Sequence, residues 1–89
     1  MAKAVVDPEQ LRQFAAMLNR FGEELTSMGT SLTTQMNALE QTWRDEQQRR
    51  FAAEFEDSMR QLQRVIKASQ SHVPYLMRKA EQIDAYLGR

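Results

Sequence analysis

The sequence predicts an all-α fold, a hairpin of two long antiparallel helices in one domain over residues 1–89, and three observations support this prediction. Gln, Arg, Glu, Leu, Met and Ala, which all favour helices, are abundant. The chain has only 3 glycines and 2 prolines, which leaves little material for turns. Apolar residues recur at helical spacing in both halves, and the pattern breaks near residue 43.

The first helix is predicted over residues 8–43. Asp7 can cap its N-terminus, Pro8 suits the first helical position, and Gln10 completes a capping-box spacing. Beyond this start, an apolar heptad pattern indicates a helix that is packed along its whole length. One row of the heptad holds a leucine at every seventh position, and the other holds two phenylalanines and a methionine. The two rows are Leu11, Leu18, Leu25, Leu32 and Leu39, and Phe14, Phe21 and Met28.

The second helix is predicted over residues 46–87. Asp45 and Gln48 stand at a capping-box spacing where this helix begins. Its apolar residues cover an arc of roughly 140°, which is wider than the seam of a two-helix coiled coil. Pro74 predicts a kink or a local break near residues 70–74, because proline removes a backbone hydrogen bond and clashes with the preceding turn.

The wide apolar arc of the second helix cannot be covered by one partner helix. The hairpin is therefore expected to dimerise into a four-helix bundle. A chain of this size is marginally stable even with a closed core, which favours the same solution. We assign helix packing and the dimer interface to the apolar residues Leu11, Phe14, Leu18, Phe21, Leu25, Met28, Leu32, Leu39, Phe51, Phe55, Leu62 and Ile66.

Ala15, Gly22 and Gly29 form a row of small residues along one edge of the leucines. A glycine inside a helix costs about 0.5–1 kcal/mol relative to alanine. Close approach of another helix over this row would offset that cost, so we interpret the three residues as close-contact positions. The alternative interpretation is that the glycines are tolerated on the surface.

Composition argues against several classes of function. The 12 basic residues balance the 12 acidic ones, whereas a nucleic-acid or anionic-membrane binder normally carries a basic excess. No apolar run approaches the roughly 20 residues of a membrane span. The N-terminal residues lack the long apolar core of a Sec signal peptide, so export would need another route.

The residue pattern predicts no catalysis, metal or cofactor. The chain has no cysteine, and His72 is its only histidine, which argues against a transition-metal site. The acidic residues Glu54, Glu56 and Asp57 lie among arginines at helical spacing, as on an ordinary solvated face. No nucleophile motif or phosphate loop is present, and we expect no enzymatic activity.

Trp43 is the only tryptophan, and it lies at the predicted turn. Two interpretations remain open for it. The indole ring can close the end of the bundle by covering the loop. It can also present an amphipathic surface to a partner, as tryptophans at interfaces often do.

Trp43, Phe51 and Phe55 carry a resemblance to a known family. Over essentially its whole length, the chain resembles the ESAT-6-like, or WXG, family of type VII secretion substrates. The family pattern has Trp-x-Gly at the turn of a helical hairpin and apolar residues eight and twelve positions after the Trp, where this chain has the two phenylalanines. Here the tripeptide reads Trp43-Arg44-Asp45, so Asp replaces Gly, and Asp can still start a helix as its cap.

The resemblance implies a secreted or secretion-associated protein that acts as a dimer. A second copy of the chain is the expected partner, since the absence of net charge permits self-association, and a paralogue is the alternative partner. Other implied partners are an export ATPase or a toxin cargo. The implied location is outside the cell, by a non-Sec route, and the cytoplasm otherwise.

Tyr86 lies where the family commonly carries the export signal Tyr-x-x-x-Asp/Glu. The sequence ends at Arg89, so the acidic position of this signal is missing from it. We therefore expect Tyr86 to be part of an incomplete signal. Either a partner supplies the signal, a C-terminal extension has been lost, or this member is not exported by that route.

Two alternatives to a WXG-type secretion protein remain. One is a structural subunit of a secretion apparatus, because type III needle proteins are also short helical hairpins. Such subunits usually show a Pro-Ser-x-x-Pro-like turn, which this chain lacks. The other is an intracellular coiled-coil adaptor without any link to secretion.

Overall fold

The chain forms two α-helices that pack side by side. A computed structural model describes residues 6–88, so the first five residues and Arg89, which the predicted domain includes, lie outside the described part. Helix α1 spans Pro8–Leu39, and helix α2 spans Glu46–Tyr86. The molecule is a rod of 64 × 24 × 15 Å.

The two helices run antiparallel. Arg12 near the start of α1 pairs with Asp84 near the end of α2. Further along α1, Gly29 lies against Leu62, nearer the start of α2. The predicted all-helical hairpin is thus confirmed.

Helix α1 begins where the sequence predicts and ends earlier. The Asp7 side chain accepts a hydrogen bond from the backbone N–H of Glu9 at 2.9 Å, and Pro8 occupies the first turn. The predicted end at residue 43 is wrong, because α1 stops at Leu39. The N–H groups of Thr42 and Trp43 both bond back to the Leu39 carbonyl, which closes the helix end with a turn.

Helix α2 begins at the predicted cap. Asp45 is extended, with φ −123°, and its side chain accepts a hydrogen bond from the backbone N–H of Gln48 at 2.8 Å. A capping residue must leave helical geometry, so one continuous helix cannot pass through Asp45. This requirement explains why residues 40–45 form a turn although their composition suits a helix.

The cap makes a stability prediction. Asp45→Ala is expected to lower the free energy of unfolding by about 0.5–2 kcal/mol, and Asp45→Gly by only a few tenths. Urea unfolding followed by circular dichroism measures both changes. Gln47→Ala, at an exposed position in the same turn, is the matched control and should stay within about 0.5 kcal/mol of wild type. If Asp45→Ala loses no more free energy of unfolding than this control, the cap does not stabilise the protein.

Pro74 lies inside α2, which continues through it to Tyr86. The predicted local break is therefore wrong, while the kink stays a prediction. Val73 and Leu76, on either side of the proline, are half-buried against α1, and this packing holds the helix across the lost hydrogen bond. Gln70, whose carbonyl loses its partner, is exposed and open to water.

The seam between the helices pairs a small row on α1 with an apolar row on α2. Residues at alternating spacings of four and three along α2 are buried or half-buried: Gln48, Ala52, Phe55, Met59, Leu62, Ile66, Ser69, Val73, Leu76, Ala80 and Ile83. The row on α1 that faces them is Pro8, Ala15, Gly22, Gly29 and Met36. The small residues thus allow α2 of the same chain to approach closely, and the core contains Ala15, Ile66 and Ala80.

The two glycines of this row have little space for a side chain. A Cβ atom at Gly29 would lie 3.1 Å from Cδ2 of Leu62, and one at Gly22 would lie 3.4 Å from Cγ of Gln70. The first of these distances is shorter than an ordinary van der Waals contact. Gly29 therefore sets how closely the helices approach near the middle of the hairpin.

An ion pair joins the free ends of the hairpin. Among the ion pairs of residues 6–88, Arg12–Asp84 alone connects the two helices, and both side chains are partly buried. Hydrogen bonds from Arg12 to Asp84 and to Glu9 raise the pKa of the guanidinium above its ordinary value. Arg12 therefore keeps its charge at every pH at which the protein is handled.

Candidate interaction surface

The leucine row of α1 lies at the edge of the hairpin seam. Leu11, Leu18 and Leu25 are half-buried, and Leu32 and Leu39 are each 44% exposed. The small row takes the central position, so α2 contacts the leucines from one side only. The other side of the leucine row is exposed to solvent.

The second apolar row of α1 lies one step further around the helix and is exposed. Phe14 is 57% exposed, Phe21 is 45% and Met28 is 62%. Met17 lies beside this row and is equally exposed. Large apolar side chains aligned on one side of a small protein normally mark an interaction site.

Helix α2 extends this surface at the turn end. Phe51 and Val65 are exposed and occupy the same heptad position, on the flank of α2 away from Glu56 and Gln63. We call the exposed residues Phe14, Met17, Phe21, Met28, Leu32, Leu39, Phe51 and Val65 the apolar face. The Arg12–Asp84 pair lies on the opposite edge of the seam, so one long side of the hairpin is apolar and the other carries the ion pair.

The predicted packing residues are divided between the seam and the apolar face. Ile66 is buried, and Phe55 and Leu62 are half-buried against α1, so these three serve the hairpin itself. Met17 and Val65 were missed as interface candidates, although Val65 belongs to the apolar arc and Met17 flanks the phenylalanine row. The predicted signal residue Tyr86 is 85% exposed at the end of α2.

The turn motif makes three local contacts. Trp43 is half-buried, and its ring centroid lies 5.8 Å from that of Phe51, which in turn lies 6.4 Å from that of Phe55. Arg44 donates from Nε to the Glu40 carbonyl at 3.2 Å, beside the end of α1. Asp45 caps α2. Each motif residue therefore stabilises the turn, and part of the indole remains open to solvent.

The described residues offer no metal cage and no membrane helix. No cluster of three His, Cys, Asp or Glu side chains lies close enough to hold an ion among residues 6–88. Neither α1 nor α2 is long and apolar enough to cross a membrane.

The family assignment rests on a match over most of the chain. A family model described as WXG100, proteins of 100 residues with WXG, matches residues 4–85. The chain belongs to the WXG100 family. No curated protein and no solved structure matches it. The predicted family is thus confirmed.

This WXG100 member carries Asp where the motif has Gly, and its backbone explains why that is tolerated. Asp45 has a negative φ, and no residue among 6–88 other than a glycine has a positive one. Nothing at this position requires glycine. The aspartate also supplies a side-chain cap, which glycine lacks.

Proposed function

We propose that this WXG100 protein is a non-catalytic type VII secretion substrate or secretion-associated partner that acts as a dimer. In this proposal the apolar face of one hairpin packs on that of a second copy, which completes a four-helix bundle. The observation that carries the proposal is the exposure of the aligned side chains Phe14, Phe21 and Met28. The family membership supports the link to secretion.

A second copy suits the apolar face electrostatically. The chain carries 12 basic and 12 acidic residues, so two copies do not repel each other through net charge. A two-fold interface uses the same patch on both copies, and the apolar face, which runs along α1 from Phe14 to Leu39, can be shared in this way. A paralogue with a similar face remains the alternative partner.

The distribution of side chains favours an antiparallel pair of hairpins. At the open end, the α2 positions that flank Phe14 and Phe21 are Lys79 and His72, whereas at the turn end the corresponding flank holds Phe51. A parallel pair would put the open ends of both copies together, so the phenylalanines there would meet an end that carries Lys79 and His72. An antiparallel pair instead places the open-end phenylalanines of one copy near the aromatic turn end of the other.

Trp43 is the proposed recognition residue at each end of this dimer. Trp43→Ala is expected to weaken binding to a type VII export ATPase by about tenfold or more, since a partly exposed tryptophan is a frequent hot spot. The measurement is a titration of purified dimer against the ATPase, together with export in cells. Circular dichroism and sedimentation of the same samples establish that the variant is folded and dimeric.

Tyr75→Ala is the matched control, because Tyr75 is an exposed aromatic residue on α2 far from the turn. This variant should bind and be exported as the wild type is. Undiminished binding and export by a dimeric Trp43→Ala protein would leave Trp43 with a packing role only. Loss of export in both variants would show that the effect is not specific to the turn.

A further inference from the structure

A groove runs along the side of the hairpin opposite the apolar face. Its volume is about 490 Å³, and it is open to solvent along the rod. Thr26, Thr30, Thr33 and Thr34 of α1 form one wall. The half-buried side chains of Phe55, Met59 and Leu62 line it from α2, and Gly29 leaves room between the helices.

The hydroxyl groups of the threonine wall are already engaged. Thr26 donates to the Gly22 carbonyl at 2.9 Å, and Thr30 donates to the Thr26 carbonyl at 3.0 Å. Thr33 and Thr34 donate in the same way, to the carbonyls four residues before them, at 3.0 and 3.1 Å. Because the wall has no donor left to satisfy, an apolar ligand can cover it without leaving a buried hydroxyl unpaired.

The wall also belongs to a segment without charge. Residues 25–39 of α1 contain no Asp, Glu, Lys or Arg, so all 24 charged side chains of the protein (12 basic and 12 acidic) lie elsewhere. Most of these uncharged residues are exposed, on sides of the helix that the apolar face does not include. On the α2 side, Glu56 and Arg60 stand at the rim of the groove with opposite charges. The groove is therefore complementary to an uncharged, apolar surface with mixed polar edges.

The shape of the groove narrows the kind of ligand. A small molecule would remain largely in water, since ligand pockets normally enclose most of the ligand surface. An amphipathic helix laid along the rod would fit, with its apolar stripe on the groove. A second copy of the chain does not provide that helix, because its apolar face is already used in the proposed dimer and its outer α2 flank carries charges such as Arg50, Glu54 and Lys67.

We propose that this threonine-walled groove binds an amphipathic helix of a different protein, one whose docking stripe is apolar and uncharged. The inference rests on the proposed dimer in one respect: a second copy of the chain occupies the apolar face, so that face does not compete for the helix. The dimer would then carry two such grooves on its outside, one for each hairpin. The protein would thereby hold a helical partner while it is itself paired.

The test uses the full chain labelled with ¹⁵N and a defined probe. The probe is a synthetic peptide of about five helical turns with leucine at the heptad core positions, only alanine and glutamine elsewhere, and both ends blocked. We expect saturable shifts of the backbone amides of residues 26–34 and 55–63. Thr30→Lys should raise the dissociation constant about tenfold or more, because it would bury an unpaired charge.

Ser27→Lys is the matched control, since Ser27 is exposed in the same uncharged segment and does not line the groove. It should leave the dissociation constant within about twofold of wild type. Thr33→Lys is a second groove variant, in case Thr30→Lys fails to fold. The proposal would be overturned by an absence of saturable binding or by shifts centred on Phe14 and Phe21. Binding by both groove variants that is as tight as that of the wild type would overturn it as well.

Sedimentation of the same samples separates this inference from the proposed dimer. A monomer that binds the probe in the groove would contradict the dimer and leave the groove in place. A dimer that shows none of the expected shifts would contradict the groove and leave the dimer in place.

Discussion

Ile66→Ala is expected to lower the free energy of unfolding by about 2–5 kcal/mol. Ile66 is 4% exposed and lies at the centre of the seam, where α2 meets the small row of α1. Truncation removes buried methyl groups and leaves a cavity that two rigid helices cannot easily close. A domain has a total stability of about 5–15 kcal/mol, so the variant is expected to lose a substantial fraction of it. Urea unfolding followed by circular dichroism gives the value.

Leu32→Ala is the informative comparison for Ile66→Ala. Leu32 is 44% exposed in one hairpin and becomes buried only if a second copy covers the apolar face. The loss in Ile66→Ala should therefore appear at every protein concentration. The loss in Leu32→Ala should be small in dilute solution and grow as the dimer forms. A loss in Leu32→Ala that does not depend on concentration would argue against a dimer built on this face.

Much of the hairpin could be predicted because its signals are local. Asp7 with Pro8 marks the start of α1, and Asp45 marks the start of α2, in each case through hydrogen bonds that span a few residues. The end of α1 is less predictable. The chain beyond Leu39 has helical composition, and only the geometry required of the second cap explains the turn.

The side of α1 that faces α2 could not be deduced from its leucines. A heptad pattern shows where apolar residues lie, and Leu18 and Leu25 stand between two rows that could each face the partner helix. The row that faces α2 contains Gly22 and Gly29, which have no side chain to appear in an apolar pattern. In the sequence, the contact row is visible only as small residues at a spacing of seven.

The candidate interaction surface could likewise be predicted only in part. The exposed phenylalanines Phe14 and Phe21 could be found from spacing, since they belong to a regular row. The groove could not be found, because threonine reads as a polar residue in sequence. It contributes an apolar wall only when its hydroxyl bonds back to the helix, as that of Thr30 does.

Phe21→Asp is expected to separate the two copies of the proposed dimer. Phe21 is 45% exposed at the centre of the open-end half of the apolar face, so one hairpin tolerates a polar residue there. A second copy would bury the carboxylate without a partner, which should cost about 3 kcal/mol or more and raise the dissociation constant by over a hundredfold. Helicity of the single hairpin should remain close to that of wild type, measured by circular dichroism.

Ser27→Asp is the control for this substitution. It introduces the same charge into the same helix, at an exposed position away from the apolar face. Its effect on helicity should match that of Phe21→Asp, while its effect on association should be negligible. Dissociation of both variants would assign the effect to charge or helix propensity rather than to the face.

The most direct test of the apolar face as the dimer interface is sedimentation equilibrium at micromolar concentration. The wild-type chain and the Phe21→Asp variant are measured under the same conditions. The predicted result is a wild-type species of twice the 10.4 kDa chain mass and a Phe21→Asp species of the single mass. A wild-type chain that sediments as a folded, cooperatively melting monomer would contradict the account. A Phe21→Asp protein that remains as firmly dimeric as wild type would contradict it as well.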